Sequence, residues 1–142
     1  MKHPKAMDTL PAMTDESVSR VRDLEQYAMQ QEQADIETRN MFHAGVYARS
    51  ITIPKDGVLT GALIKIPTIL IVSGDVLVYT GENVIRLKGY NVVTAQAGRK
   101  QAFVALQETE MTMLFATNET TVDGAEREFT DEYENLISRR NT

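Results

Sequence analysis

The feature that most limits the fold of this chain is a series of short apolar segments between residues 46 and 117, each bounded by turn-forming residues. "VYARSITI" has the alternating character of a strand, and Pro, Asp and Gly follow it in the order that a turn requires. Segments of this kind recur at spacings of roughly 8 to 12 residues. This spacing predicts a mainly β fold of about eight short antiparallel strands, forming a single jelly-roll barrel or sandwich without crossover helices.

Smaller signals subdivide the strand region. The triplets "SGD" and "GEN" predict tight turns on either side of "VLVYT", and "KGY" predicts a break between "VIRL" and "NVVTA". Gly61, inside "VLTGALIKI", predicts a bulge or bend, and Pro67 is tolerated at the start of a strand. Met111 and Met113 alternate with Thr112, which predicts that both methionines pack on the core face.

The N-terminal part of the chain changes character at Thr14. Residues 1–13 are polar and without periodicity, which predicts a flexible arm. Residues 14–33 predict an amphipathic helix, because a capping residue, Thr14 or Asp15, precedes apolar residues spaced by three and four.

The C-terminal part is again helical in pattern. Residues 123–139 predict a helix capped near Asp123, so that the β-domain spans residues 40–117. The apolar faces of both terminal helices are candidate contact surfaces for a second copy or another protein, and packing of the N-terminal stripe on the chain's own strands is the alternative. The candidate interface residues are Val18, Val21, Leu24, Tyr27, Phe129, Tyr133 and Leu136.

Composition excludes several classes of protein. The 142 residues suffice for one domain with a core, and a net charge of −5 with a pI near 5.0 argues against nucleic acid as the main partner. The chain has no Cys, which excludes disulfides, thiolate zinc sites and thiol nucleophiles. No segment approaches the roughly 18 apolar residues of a membrane span, and the first residues lack the apolar run of a signal peptide. These features predict a soluble cytosolic protein.

Metal ligands are scarce in the sequence. The two histidines are His3, on the predicted arm, and His43, placed before the first predicted strand. A cage of imidazoles and carboxylates needs several such groups converging on one ion. The carboxylates nearest to the predicted strands, Asp56, Asp75 and Glu82, fall in predicted turns. The sequence therefore predicts no metal site and no cofactor.

The strand region resembles a known family. The run "ILIVSGDVLVYTGENVIRLKGYNVVTAQAG" resembles the small cupin jelly roll. The segments "GVYARSITIPKDGVLTGALIK", "SGDVLV", "AGRKQA" and "ATNETTVDGAE" are similar to a family of uncharacterised bacteriophage proteins with that fold. The resemblance covers Asn40 to about Glu128, and it implies a cupin-like barrel in a phage protein.

The resemblance also marks where this chain departs from its look-alikes. Members of that phage family typically carry His at the positions of Asn40, Ile64 and Thr68. They commonly have a Lys-Arg pair where this chain has Lys100 and Gln101. The comparison implies that the usual metal cage is missing from this barrel.

The leading functional hypothesis is a metal-free, non-enzymatic bacteriophage protein that acts through protein contacts. Such a protein would be virion-associated or an accessory assembly component, present in the host cytoplasm or the virion. Its expected partners are further copies of itself and other phage proteins, with no membrane and no nucleic acid.

Two other hypotheses remain open at the level of sequence. One is a protein that binds an anionic nucleotide or sugar at the barrel mouth. Its candidate ligand-binding residues are Arg49, Lys65, Thr68, Arg99, Lys100 and Gln101. The other is an enzyme with unfamiliar acid–base groups, for which Lys65 would serve as a base only if burial lowered its pKa.

Overall fold

The structure, a computed structural model, describes residues 9–30 and 36–140. It confirms a mainly β fold with a helix before the main strands and helices after them. The strands are β1 (Thr9–Leu10), β2 (Thr38–His43), β3 (Val46–Ile53), β4 (Val58–Thr60), β5 (Thr68–Tyr79), β6 (Val84–Ala95), β7 (Ala102–Ala105) and β8 (Thr109–Ala116). The helices are α1 (Asp15–Met29), α2 (Val122–Phe129) and α3 (Ile137–Arg140). Residues 1–8 of the predicted arm, with His3, and residues 31–33 of the predicted helix lie outside the described residues.

The strands form a ladder that changes partners along β5. The order is β1-β6-β5-β8-β3-β2, and β7 pairs with β5 on one side and β4 on the other. Residues 69–73 of β5 pair with β8, whereas residues 76–79 pair with β7. The two halves of β5 thus belong to two layers that share one core. Within the described part of the chain the sheet is not closed, because β1 and β2 each have one neighbour.

Two glycines allow the β5–β6 ribbon to pass between the layers without a break. Gly74 in β5 is paired with Gly89 in β6, and their φ angles are +149° and +82°. A Cβ atom on Gly74 would come within 2.5 Å of Thr109 Oγ1, so a side chain at this position is excluded by space as well as by conformation. The pairing therefore bends here and continues.

The division of the sequence into strands differs from the prediction. "SGD" is not a turn but the middle of β5, and "KGY" lies inside β6, because the glycine pair bends the ribbon without ending it. Two strands, β1 and β2, were not predicted, since their polar residues lack a clear alternation. His43 is the last residue of β2, not a residue before the first strand.

Helix α1 is fixed to the rest of the chain at its beginning. Thr14 is its N-cap and accepts a hydrogen bond from Ser17 N at 3.1 Å. Ser17 packs directly on Gly81, where a Cβ atom would meet Ser17 O at 2.7 Å. Arg20 Nη1 donates to Gly81 O at 3.1 Å. The helix therefore lies against the turn between β5 and β6. None of the helices in residues 9–30 and 36–140 is long and apolar enough to span a membrane.

The C-terminal region is helical but is divided into three short pieces. A 3-10 turn, Tyr133–Asn135, separates α2 from α3. Thr130 is extended, with φ −153° and ψ 148°, and its hydroxyl donates to Leu63 O at 2.7 Å and accepts from Glu132 N at 3.0 Å. These contacts hold the chain out of helical geometry after Phe129. The C-terminal pieces thereby fold over one end of the sandwich instead of extending away from it.

The core has two parts. One lies between the two layers and includes Leu70, Val76, Phe103 and other apolar residues of the strands. The other lies between β3, β8 and the C-terminal helices, where the Tyr47, Phe115 and Phe129 rings pack edge to face. The space between these two parts forms the candidate site.

Candidate functional site

A partly open cavity of about 130 Å³ lies between the strands and the C-terminal helices. Its wall is mainly apolar and includes Ile51, Leu59, Leu70, Phe103, Met111 and Met113. An engineered cavity of about 150 Å³ is large enough to bind benzene. The cavity is therefore of the right size for a small organic molecule.

Strand periodicity explains which residues face the cavity. Odd-numbered residues of β3 and β8 point inward, so Arg49 and Ile51 meet Met111 and Met113 across the wall. The segment that leads into β7 is also extended, because Arg99 pairs with Ile64 and Gln101 O accepts from Gly61 N at 2.8 Å. Alternation along this segment brings both Arg99 and Gln101 to the wall.

Arg99 is a buried cation with no carboxylate partner in the described part of the chain. Its side chain belongs to a residue that is 3% exposed, and burial lowers its pKa to about 10. Nη1 donates to Gln96 O at 2.7 Å and Nη2 donates to Thr68 Oγ1 at 2.6 Å. Among residues 9–30 and 36–140 it forms no ion pair. At neutral pH the guanidinium therefore remains charged.

Gln101 is a buried residue whose side-chain nitrogen has no hydrogen-bond partner among the described residues. The residue is 5% exposed, and its Nε2 atom is buried with no partner in the described part of the chain. An unmade hydrogen bond of this kind costs about 1–3 kcal/mol. Buried polar groups normally have hydrogen-bond partners, so this amide nitrogen in the wall is an exception that a bound ligand would explain.

Lys100 points away from these two residues into an ion cluster. It is fully buried, and its Nζ atom donates to Glu25 Oε2 at 3.0 Å, Glu132 Oε1 at 2.8 Å and Gly61 O at 3.0 Å. A lysine ammonium has three donors, and all are used. Burial opposes ionisation of Glu132, but hydrogen bonds from Lys100 and from Leu63 N outweigh it, and the pKa of Glu132 is lowered.

Arg49 is similarly neutralised. Nη1 donates to Glu126 Oε2 at 2.8 Å, and Nη2 donates to Ser138 Oγ at 3.0 Å. Arg139 Nε also donates to Glu126, at 2.8 Å. Burial raises the pKa of Glu126, yet these bonds together with one from Ser138 outweigh it, and the net shift is downward. Of the charged groups in the wall, Arg99 is thus the one that lacks a counter-charge among the described residues.

The structure brings together part of the predicted ligand set. Arg49, Arg99 and Gln101 line the cavity, and Thr68 is the buried acceptor for Arg99. Lys100 adjoins the cavity, but its donors are engaged by the protein. Lys65 lies elsewhere: its side chain is 42% exposed and pairs with Asp131 at 2.6 Å.

Other wall residues were not recognised as part of a site from sequence. Glu25 and Glu132 belong to segments far apart in the chain, and nothing local marks them as neighbours of Lys100. Met111 and Met113 were predicted to face the core, and the cavity is the part of the core that they border. Leu136, a predicted interface residue, is also in the wall.

The predicted interface residues divide by exposure. Buried within the chain are Val18, Val21, Phe129 and Leu136. Leu24 and Tyr133 are half-buried, and Tyr27 is 64% exposed. Contact with another protein through these positions stays a prediction.

The residues at the expected metal-ligand positions do not suit a metal. Asn40 accepts a hydrogen bond from Tyr47 Oη, and Thr68 accepts one from Arg99, while Ile64 presents only an alkyl group. His43, at the end of β2, is exposed. Across residues 9–30 and 36–140, no group of three His, Asp or Glu side chains is placed to hold an ion.

Comparison with known proteins gives similarity in three-dimensional structure alone. No protein-family model and no curated protein sequence matches the chain. A cupin superfamily protein from Desulfitobacterium hafniense DCB-2 is similar with a TM-score of 0.49 and 11% identity, over 62% of this chain and 83% of that one. KdgF from Halomonas sp. gives a TM-score of 0.49 and 17% identity, over 64% and 90%. Nothing in these similarities connects the chain with bacteriophage proteins.

Oxalate oxidase in complex with the substrate analogue glycolate is also similar, with a TM-score of 0.47 and 12% identity over 63% of this chain and 58% of that one. The prediction that this chain is not an enzyme is therefore wrong as it was drawn, since an enzyme is among the structures that resemble it. The absence of the usual metal ligands from the described residues does not by itself exclude catalysis. At these identities and TM-scores, the similarities assign no activity, substrate or metal to it.

Proposed function

We propose that this protein binds a small organic molecule in the cavity between its strands and its C-terminal helices. The observation that carries the proposal is the cavity itself, about 130 Å³ with a mainly apolar wall and a few polar groups. Ligand sites commonly have this composition, in which apolar side chains supply contact and a few polar groups fix orientation.

The space is a partly open cleft that is well above the volume of a single water molecule. Protein interiors are close-packed and contain few voids larger than a water molecule, whose share of liquid volume is about 30 Å³. The buried, unpartnered amide of Gln101 in the same wall adds a second departure from normal packing. A bound guest accounts for both.

The same dimensions narrow the sequence-based hypothesis. A nucleotide, with its base, sugar and phosphate, is far larger than benzene, the guest that suits a space of about this volume. A sugar would leave most of its hydroxyl groups against Ile51, Leu70 and Met111. The proposed ligand therefore has an apolar body about the size of one ring or a short branched chain.

A screen of small ligands against the intact chain tests this function. The melting temperature and the amide NMR spectrum are measured with neutral and charged compounds about the size of benzene. A ligand at 100 times its dissociation constant stabilises the folded state by about 2.7 kcal/mol. Binding to the parent protein is expected to shift amide resonances of β3 and β8.

A cavity-filling variant supplies the control. Ala62 lines the cavity, whereas Ala116 is exposed at the end of β8. Ala62→Phe is expected to abolish the ligand-induced shift, and Ala116→Phe, the same change on the surface, is expected to preserve it. Absence of any shift in the parent across the whole panel would refute the proposed function.

Action through protein contacts stays a prediction from sequence. The same holds for a homo-oligomer, for phage proteins as partners and for location in the host cytoplasm or virion. Contacts through Val18 or Val21 would require α1 to leave its present position, since both residues are buried. Tyr27, exposed near the end of α1, is the predicted interface residue that is accessible without such a change.

A further inference from the structure

We infer that the ligand of this cavity is a small organic monocarboxylate, with its carboxylate at Arg99 and Gln101 and its apolar body against Ile51, Met111 and Met113. This inference rests on the proposed function and adds the chemical class of the ligand. It follows from two buried polar groups for which the described residues supply too few partners.

The first of these groups is the guanidinium of Arg99. An arginine has five N–H donors, and the described residues accept two of them, at Gln96 O and Thr68 Oγ1. A buried charge is normally paired, because it has lost its hydration. The planar donor fork of arginine matches the two oxygens of a carboxylate better than it matches a single acceptor. A carboxylate would supply both the missing charge and the missing acceptors.

The second group is the carboxamide of Gln101, two residues further along the same extended segment. Residues two apart in such a segment point to one side, so Arg99 and Gln101 reach the same wall while Lys100 turns toward α1. The unpartnered Nε2 is a donor, and a carboxylate oxygen is a suitable acceptor for it. Two independent donors on one wall therefore select the same ligand group.

The charge of the wall limits the ligand to one negative charge. Glu25 and Glu132 are held by Lys100, and Arg49 is held by Glu126. Because these groups are paired with one another, they provide no free cation for a second negative charge on the ligand. The two glutamates would repel such a charge. A neutral ligand would leave Arg99 uncompensated. A single carboxylate fits both conditions.

Matched ligand pairs test the inference on the full chain. Dissociation constants for benzoate and 3-methylbutanoate are measured by calorimetry or NMR titration. Those of benzyl alcohol and 3-methylbutanol are measured beside them, because each alcohol has the same apolar body as its acid but no charge. Phthalate and inorganic phosphate probe a second charge and a purely inorganic anion. Loss of a hydrogen-bonded charge partner corresponds to about tenfold to hundredfold in affinity. We expect each acid to bind at least tenfold more tightly than its alcohol.

Two variants locate the carboxylate. Gln101→Leu removes the amide without adding a polar group, so the variant is expected to fold and to lose severalfold in benzoate affinity, with a smaller loss for benzyl alcohol. Arg99→Gln is expected to lose at least tenfold in benzoate affinity, again with a smaller loss for the alcohol. If Arg99→Gln does not fold, Arg99→Lys replaces it. This variant keeps the positive charge but not the planar donor pair, so its preference for the acid over the alcohol is expected to fall by less.

The outcomes separate the two proposals. Equal binding of acid and alcohol would overturn the carboxylate inference and leave the proposed function standing. Tighter binding of phthalate or phosphate than of benzoate would overturn the single-charge inference. Unchanged acid selectivity in Gln101→Leu and in the Arg99 variant would overturn the assignment to these residues. No binding of any compound to the parent would overturn both the inference and the function on which it rests.

Discussion

Replacing Lys100 with Met is the sharpest test of the ion cluster beside the cavity. The lysine is fully buried, and its ammonium contacts Glu25 and Glu132 at 3.0 and 2.8 Å and Gly61 O at 3.0 Å. Methionine keeps most of the length and apolar volume of the side chain but removes the charge. The variant therefore leaves two partly buried carboxylates without their shared cation.

The expected loss of stability is large. Removing one member of a buried ion pair typically costs about 3–5 kcal/mol, because the remaining charge is left desolvated. A domain of this size has a total unfolding free energy of about 5–15 kcal/mol. Lys100→Met should therefore remove a large fraction of the stability, and not only a ligand contact.

Urea denaturation at pH 7 measures this loss, with Lys65→Met as the matched control. The Lys65 pair with Asp131 is on the surface, with side chains 42% and 87% exposed. Exposed pairs contribute about 0–1 kcal/mol. The same substitution should thus be nearly neutral at Lys65. Adding Glu25→Gln to Lys100→Met should recover part of the loss, since Lys100 is the cation that Glu25 contacts, whereas Glu132 keeps Arg22 and Leu63 N as partners.

A pH series gives the sign of the effect. In the parent protein the pKa of Glu132 is lowered, so its ionisation stabilises the fold above the unfolded pKa of 4.5 and ceases to do so as pH falls through the lower folded value. In Lys100→Met this carboxylate loses the ammonium, and Arg22 and Leu63 N remain to oppose the effect of burial. The gap between parent and variant should therefore shrink as the pH falls below about 4.5. A loss below about 1 kcal/mol at pH 7, equal to that of Lys65→Met, would refute the reasoning.

Two further predictions concern the other buried carboxylate and the glycine bend. The pKa of Glu126 is lowered although burial opposes this. Glu126→Gln should therefore destabilise the protein at pH 7, and the loss of stability should become smaller below the unfolded pKa, near 4.5. Urea midpoints of parent and variant that differ equally at pH 7 and pH 3.5 would contradict this. Gly74→Ala should lower the free energy of unfolding by more than about 2 kcal/mol in thermal or urea unfolding, because its Cβ would lie 2.5 Å from Thr109 Oγ1. Gly45→Ala, at φ +73° with nothing within 4 Å, should lower it by about 1 kcal/mol. Equal losses in the two variants would refute the clash.

Much of the fold could be predicted because its signals are local. Alternation along "VYARSITI" and "EMTMLFAT" is a property of a few consecutive residues, and it correctly predicts β3 and β8 and the inward direction of Met111. The capping residue Thr14 likewise marks the start of α1. Where local signals conflict with long-range pairing, prediction fails: Gly74 looks like a turn residue, yet its partner Gly89 keeps the ribbon continuous.

The candidate site was only partly predictable for the same reason. Local patterns in the sequence predict that cations, an amide and alternating apolar residues come from the strands and the segment before β7. The packing of distant segments places Lys100 against glutamates 75 and 32 residues away, and among the described residues it leaves Arg99 without a carboxylate and Gln101 Nε2 without an acceptor. Local patterns fix the direction of a side chain relative to its own strand, whereas hydrogen bonds and charge pairs depend on which distant segments are packed opposite it.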